Sequence, residues 1–404
     1  MSNVNDNMME FLYAFHDNML RQAKDGFYRF LYGKVNWEQR LIAIKGPRGA
    51  GKTTMMLQRL RFDLKLKASE ALYLTADHYW FYNHSLAETA EDFVRHGGKW
   101  LFIDEVHKYP HWSREIKNIY DAYPELHIVL SASSALDLFR GEADLSRRLI
   151  VYTLPGLSFR EYLRMQNLAQ IEARSFDEML RNPQDLQAEV LEQIRPLAHF
   201  KHYLQYGYLP IYEPGSETEY LMKLQQVIRI AIETDLAWVA GINTGTAQKV
   251  KKLLGVMAAS VPFKPNITEL ARKIDAGRDS VYEWISLMEK ARVLNLLHTE
   301  GRSTAILQKP EKVFLENTNF AYALDPRPDI GNLRETFVFN QLVNSGLDVY
   351  HPAKHDFKTG EWTIEVGGKT KAVAGADERL IIAADEVETV FRNKLPLWMF
   401  GFLY

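Results

Sequence analysis

The chain has 404 residues, a formal net charge of −2 and no cysteine. The lack of cysteine excludes a disulfide framework, a zinc ribbon and a cysteine nucleophile. With so small a net charge, any contact with nucleic acid must come from a local basic patch. No apolar run reaches the roughly 18 residues that a membrane helix needs, and the polar start of the chain is unlike a signal peptide. We therefore expect a cytoplasmic protein with no membrane partner.

The first elements in chain order are helical and then alternate with strands. Apolar residues recur at helical spacing between residues 7 and 31, which predicts an N-terminal helical segment over 1–35. The short apolar stretch 41–44 is typical of a buried strand, and 53–60 of a helix.

The most informative motif lies between that strand and that helix. Residues 46–53 have the spacing G-x-x-x-x-G-K-T of a phosphate-binding loop. Its glycines let main-chain N–H groups surround an anion, and the helix N-terminus adds a favourable dipole. Lys52 is expected to reach the β- and γ-phosphates, and the Thr53 hydroxyl to ligate Mg²⁺. The predicted ATP-binding residues are Gly46, Pro47, Arg48, Gly49, Ala50, Gly51, Lys52, Thr53 and Thr54.

Two acidic residues directly follow another apolar stretch further along the chain. Residues 100–103 are apolar and lead into Asp104 and Glu105. A strand that ends in Asp places it beside the phosphate loop, so Asp104 is predicted to hold the Mg²⁺ shell through water. Glu105 is predicted to orient or deprotonate the attacking water. The alternative is a solvated acidic pair at a strand end.

A further apolar strand, 127–130, is followed by hydroxyl side chains. We predict that Ser131 or Ser133 contacts the γ-phosphate or its water, and we favour Ser131. The alternative is that Ser133 or Ser134 caps a helix beginning at residue 135.

The order of elements indicates the domain organisation. Strands and helices alternate over 36–160, which predicts a parallel α/β sheet with helices on both faces. Residues 161–255 are predicted to form a helical lid or linker, and 256–309 a winged helix-turn-helix. That unit is built from two helices joined at Gly277 and a hairpin of 293–297 with 305–307.

The winged-helix unit has two interpretations, which stay open. Arg278 and the second helix could enter a major groove of DNA, with Lys249, Lys251 and Lys252 on phosphates. Glu283 and Glu289 on the second helix would repel DNA, which favours a lid or a protein-contact module instead.

The motifs together resemble a large prokaryotic family of AAA-type P-loop ATPases with a C-terminal domain related to restriction endonucleases. The resemblance rests on the phosphate loop, on 103–109 leading to Trp112 and Ser113, on 131–136, and on 145–148 with 154–162. Ala132 stands where the family more often has glycine. The resemblance implies an ATPase fold of AAA type with ATP and Mg²⁺ as cofactors.

The same resemblance assigns a role to two arginines. Arg147 and Arg148 match the arginine after the fourth strand, which reaches the γ-phosphate from its own or a neighbouring subunit and stabilises transition-state charge. Action on a neighbour would require a homo-oligomer. The alternative is a surface ion pair with Glu142 or Asp144.

The resemblance also implies that 310–404 is a small α+β restriction-endonuclease-like domain. Glu335, Asp356, Glu365 and then a lysine follow the order of its metal site. The usual spacing puts the lysine at position 367, which is glycine here, so Lys369 is the substitute. We favour a degenerate, non-cleaving fold.

The apolar residues 395–404 are expected to form a buried closing strand or turn, with a partner-docking tail as the alternative. The predicted function is an ATP-hydrolysing ATPase whose nucleotide state moves the winged-helix and C-terminal domains. The alternatives are a nucleotide-gated DNA-binding or DNA-cleaving module and a protein-docking ATP switch without nucleic acid.

Overall fold

The structure is a computed structural model that describes residues 3–132, 145, 147–236, 241–258, 262–301, 309–372 and 378–404. The predicted positions Ser133, Ser134, Glu142 and Asp144 and the hairpin residues 305–307 lie outside the described residues. The chain divides into two compact units, Met1–Pro155 and Gly156–Tyr404. This division falls five residues before the end predicted for the ATPase domain.

The described part of the first unit contains a parallel sheet of short apolar strands. The spatial order is β2-β3-β4-β1-β5, and every neighbouring pair is parallel. The predicted parallel sheet is thereby confirmed. The strands are β1 (Leu41–Lys45), β2 (Ala71–Thr75), β3 (Trp100–Asp104), β4 (His127–Ala132) and β5 (Ile150–Thr153).

Helices cover both faces of this sheet because side chains alternate along each strand. Leu41 and Ala43 belong to one apolar cluster, and Ile42 and Ile44 to another. The first cluster includes side chains of α3 and α4, and the second includes Met55 and other residues of α2. The helices are α1 (Asn3–Gln22), α2 (Lys52–Gln58), α3 (Leu86–Arg95) and α4 (Trp112–Ala122).

The N-terminal helix α1 covers the outer strand β2. Its side chains enter both clusters, and the Nδ1 atom of His16 accepts a hydrogen bond of 2.9 Å from the main-chain N–H of Tyr73. An outer strand exposes main-chain groups that need a partner, and His16, only 1% exposed, provides one. The helix ends at Gln22, earlier than the predicted residue 31.

The second unit begins with helices. In neither unit do the described residues include a helix with both the length and the apolar composition of a membrane span. The helices are α5 (Phe159–Met165), α6 (Phe176–Arg181), α7 (Pro183–Gln193), α8 (Pro196–Tyr206), α9 (Glu217–Ile230), α10 (Thr244–Ala258), α11 (Ile267–Ile274), α12 (Arg278–Lys290), α13 (Thr318–Leu324) and α14 (Ile330–Asn344).

A mixed sheet runs through the second half of this unit in the order β12-β11-β10-β9-β8-β6-β7. The predicted domain boundary at residues 309 and 310 falls between β6 and β7, which pair antiparallel with each other. Among the described residues, β6 pairs with β7, whereas the predicted partner 305–307 lies outside them. The strands are β6 (Leu294–Thr299), β7 (Lys312–Leu315), β8 (Tyr350–His351), β9 (Phe357–Thr359), β10 (Trp362–Gly367), β11 (Leu380–Ala384) and β12 (Lys394–Pro396).

The apolar C-terminal run is buried, as predicted. It forms strand β12 and then a 3₁₀ turn, Leu397–Phe402, in which Trp398, Met399 and Phe400 are fully buried. These side chains join the main apolar cluster of the second unit with Phe159 of α5. Burial removes about 150 Å² or more of apolar surface per aromatic side chain from water, which explains why the run is not left exposed.

The His16 contact makes the stability of the first unit depend on pH. Burial lowers the pKa of His16 below its ordinary 6.5, and the charge of Asp17 only partly opposes this effect. The unfolded chain therefore takes up a proton at a higher pH than the folded chain does. We expect the free energy of unfolding to contain the full contribution of His16 above about pH 6.5 and to decrease as the pH falls below that value.

His16→Asn should keep an acceptor near the Nδ1 position and should not titrate. Its denaturant midpoint should therefore fall less steeply than that of the wild type between about pH 7 and pH 5. His111→Asn is the control, because His111 is exposed and its left-handed backbone suits asparagine. Equal slopes for the wild type and His16→Asn would contradict this account.

Candidate nucleotide-binding site

The loop 46–51 joins the carboxyl end of β1 to the first turn of α2. Gly49 and Gly51 have φ values of 79° and 95°, in the left-handed region that glycine adopts without strain. At Gly46 the constraint is space, because a Cβ there would lie 2.1 Å from the carbonyl oxygen of Leu154. The residue after β5 thus packs directly on the start of the loop.

Lys52 lies across the main chain of the loop. Its side chain is nearly buried, and Nζ donates to the carbonyl oxygens of Gly46 and Pro47, both at 2.9 Å. Since lysine donates hydrogen bonds in several directions, the ammonium group can exchange these carbonyls for phosphate oxygens.

A buried arginine that sequence reasoning missed braces the loop. Arg29 donates from Nη1 to the carbonyl oxygen of Ala50 and from Nη2 to that of Pro155, the latter at 2.9 Å. Its guanidinium group therefore ties the loop to the chain after β5. No spacing pattern links residue 29 to the motif, so only the fold reveals this contact.

The two predicted Mg²⁺ ligands lie together. Thr53 Oγ1 donates to Asp104 Oδ2 at 2.6 Å, and Asp104 is 3% exposed. Thr53 is on the first turn of α2 and Asp104 ends β3, so the contact forms where parallel strands present their carboxyl ends. A hydroxyl and a carboxylate are oxygen ligands of the kind that Mg²⁺ prefers.

Ser131 has a different place from the predicted one. It is fully buried in β4, its hydroxyl donates to Asp104 Oδ1, and its oxygen accepts the N–H of Glu105 at 3.1 Å. In this structure Ser131 therefore supports Asp104, and its predicted contact with the γ-phosphate or its water stays a prediction.

Glu105 follows Asp104 in a strained backbone conformation. Its φ is 52°, which is uncommon for a residue with a side chain and costs on the order of 1 kcal/mol or more. Its carboxylate Oε2 lies 3.5 Å from Arg48 of the loop and 3.6 Å from both His107 and Lys108. The backbone thus turns the carboxylate of Glu105 towards the phosphate loop.

The two arginines near β5 have different surroundings. Arg148 forms a two-pronged ion pair with Asp121 of α4, at 2.9 and 3.0 Å, whereas Arg147 is exposed. Arg148 is thus held in a surface ion pair with Asp121, a partner that the sequence analysis did not consider. Arg147 remains the better placed of the two for contact with a neighbouring subunit, which stays a prediction.

The acids of the second unit lie close to one another, and a lysine not foreseen joins them. Lys312 Nζ of β7 lies 2.9 Å from Glu335 and 3.2 Å from Asp356. Burial raises the pKa of Glu335, and the nearby charge of Asp356 raises it further. Burial alone would lower the pKa of Lys312, but hydrogen bonds and charge from Glu335 and Asp356 outweigh it and raise that pKa.

The lysine beside Glu365 is Lys371, which corrects the prediction of Lys369. Lys371 Nζ lies 2.5 Å from Glu365, and His355 Nδ1 lies 3.0 Å from the same carboxylate. Lys369 instead offers its carbonyl oxygen to Lys394 at 3.2 Å. In the part of the chain that the structure describes, no group of three or more His, Cys, Asp or Glu residues is placed to hold a metal ion.

The helices of the predicted winged unit, α11 and α12, pack together, but its lysines are partly engaged. Lys251 pairs with Glu233, and Lys249 donates to the carbonyl oxygen of Asp275. Burial raises the pKa of Glu289 to about 7, which weakens the repulsion of DNA expected from this residue. Contact with DNA stays a prediction.

A family match covers most of the first unit and the first residues of the second. Residues 38–163 match a family described as an AAA domain. A relative, an uncharacterized protein of Methanocaldococcus jannaschii, is 27% identical over 290 residues, which are 69% of this chain and 61% of that protein. The chain thus spans less than two thirds of that relative's length.

Two solved structures are similar at low identity. A Walker-type ATPase of Pyrococcus abyssi is 12% identical with a TM-score of 0.40, covering 76% of this chain and 99% of that chain. AMPPCP-bound DnaA from Aquifex aeolicus is 14% identical with a TM-score of 0.24, covering 69% and 88%. TM-scores this low do not establish a common fold over the whole chain. Residues 38–163 are thus similar to an AAA domain, and the parallel sheet with its phosphate loop is the α/β fold of P-loop NTPases.

Proposed function

We propose that the protein binds ATP with Mg²⁺ and hydrolyses it to ADP and phosphate. The observation that carries the proposal is the 2.6 Å contact between Thr53 and Asp104. These two residues are 51 positions apart, and the fold brings the hydroxyl of one to the carboxylate of the other beside a phosphate-binding loop. This is the arrangement that P-loop NTPases use to hold Mg²⁺.

Each residue of the site has a role in this proposal. The N–H groups of the loop and the N-terminus of α2 bind phosphate oxygens, and Lys52 neutralises their charge. Thr53 would ligate Mg²⁺ and Asp104 would hold its shell through water, and the ion would supply positive charge to the phosphates. Glu105 accepts the proton of the attacking water, since its carboxylate is the acidic group aimed at the loop beside Asp104.

We further propose that nucleotide state moves the remainder of the chain, with Arg147 acting on the nucleotide of a neighbouring subunit. The exposure of Arg147 supports this role. The possible DNA partner and the protein-docking alternative would each act through the second unit. Binding of DNA that weakens steeply with salt would favour the former over the latter.

Two substitutions separate binding from chemistry. Lys52→Ala should lower kcat/KM for ATP by about a hundredfold or more, because charge stabilisation of the phosphates is lost. Glu105→Gln should lower kcat by about 10²-fold or more while ATP stays bound, because the base is lost and the loop is intact. Steady-state phosphate release and calorimetric ATP binding measure the two effects. Unchanged hydrolysis in Glu105→Gln would remove Glu105 as the base.

The contact at Gly46 gives a second test. Gly46→Ala should abolish ATP binding, because the added Cβ would collide with the carbonyl oxygen of Leu154 and displace the loop away from the end of β5. Gly33→Ala is the matched control, since a Cβ there meets nothing within 4 Å. Calorimetric titration with Mg·ATP should show binding for the control and the wild type only. Wild-type affinity in Gly46→Ala would show that the loop tolerates the displacement.

For the second unit we infer a degenerate nuclease-like site. The carboxylates of Glu335, Asp356 and Glu365 are engaged by Lys312 and Lys371, and these ion pairs compete with a metal ion for the same oxygens. A catalytic metal would require their release.

The wild-type protein should therefore fail to nick supercoiled plasmid in Mg²⁺ or Mn²⁺. Glu365→Ala should show the same background, because the proposed site does not cut. Plasmid relaxation on agarose gels, with and without ATP, is the measurement. Metal-dependent nicking by the wild type that Glu365→Ala removes would overturn the inference and restore the nuclease alternative.

A further inference from the structure

The hydroxyl of Tyr73 and the carboxylate of Asp104 meet in the interior of the first unit. Tyr73 lies in β2 and is 1% exposed, and its hydroxyl donates to Asp104 Oδ2 at 2.8 Å. We infer that Tyr73 is a positioning residue for the Mg²⁺-binding carboxylate and that helix α1 fixes Tyr73 in place. The inference rests on the proposed ATPase function and adds a residue that no motif contains.

The donors around Asp104 show what Tyr73 contributes. Oδ1 accepts from the Ser131 hydroxyl and from the N–H of Glu105, and Oδ2 accepts from Thr53 and Tyr73. Torsion of an aspartate carboxylate about its last bond is broad, so donors on both oxygens are needed to hold its plane. Tyr73 and Thr53 together fix the Oδ2 side, which faces the hydroxyl ligand of the metal.

The hydroxyl of Tyr73 keeps its proton in this site. Burial raises the pKa of Tyr73, and the charges of Asp104 and Glu105 raise it further. The hydroxyl donates to the carboxylate, as the 2.8 Å distance shows. A phenylalanine would fill the same apolar space, so the hydroxyl is the part of Tyr73 that packing does not explain.

Helix α1 holds Tyr73 from the other side. His16 accepts the main-chain N–H of Tyr73, and the ring of Phe15 stacks on the ring of Tyr73 with centroids 6.2 Å apart and planes 18° apart. Strand β2 is at the edge of the described sheet, so no strand pairs with its outer side. Helix α1 constrains β2 through these two contacts. The path from α1 through Tyr73 to Asp104 thus consists of direct contacts.

The test is the Mg²⁺ dependence of ATP hydrolysis in Tyr73→Phe. Loss of a hydrogen bond to a charged group should raise the Mg²⁺ concentration for half-maximal activity by about tenfold. At saturating Mg²⁺, kcat should return to near the wild-type value, whereas a purely structural defect would lower kcat at every Mg²⁺ concentration. Tyr152→Phe is the matched control, because the Tyr152 hydroxyl accepts the N–H of Asn36 at 3.0 Å instead of contacting Asp104.

Phe15→Leu removes the stacked ring and leaves the hydroxyl, so it tests the α1 contribution and serves if Tyr73→Phe is unstable. It should shift the Mg²⁺ midpoint in the same direction by a smaller factor. An unchanged midpoint in Tyr73→Phe, or in Phe15→Leu if only that variant folds, would overturn the inference. Absence of Mg²⁺-dependent hydrolysis in the wild type would instead refute the proposed function, so the two failures are distinguishable.

Discussion

The carboxylate of Asp104 is the group on which the rest of the first unit depends. It is buried at the end of β3, and burying a charge in a protein interior is costly unless hydrogen bonds satisfy it. Strand β2 supplies Tyr73, strand β4 supplies Ser131, and the phosphate-loop helix supplies Thr53. The sheet order and the site are therefore one constraint, because only strands adjacent to β3, with the helix above them, can deliver these donors.

Much of this site could be predicted from the sequence because its residues occur at fixed spacing after apolar strands. The loop 46–53 and the pair Asp104 and Glu105 are local patterns, and their placement at the carboxyl edge follows from parallel strands. Arg29 and Tyr73 could not be predicted in this way. Their partners, the carbonyl of Ala50 and the carboxylate of Asp104, are 21 and 31 residues distant, and no periodicity connects such positions.

The second unit shows where sequence order stops being informative. The acids Glu335, Asp356 and Glu365 were predicted from the order that the resemblance implies, whereas the lysines beside them were not predicted correctly. Lys312 begins β7, a strand that the sequence analysis did not predict. The lysine beside Glu365 is Lys371, whereas Lys369 was predicted. Which lysine reaches a carboxylate depends on strand register and on the direction of each side chain, and both are properties of the assembled sheet.

The close approach of Leu154 to Gly46 has a mechanical consequence. The last residues of the first unit are held by the phosphate loop and by Arg29, with no side chain of Gly46 between them to absorb a displacement. A displacement of the backbone at Pro155 would therefore be transmitted to the loop 46–51 as well as to strand β5. Conversely, a shift of that loop would displace Leu154 and Pro155, the residues that lead out of the first unit.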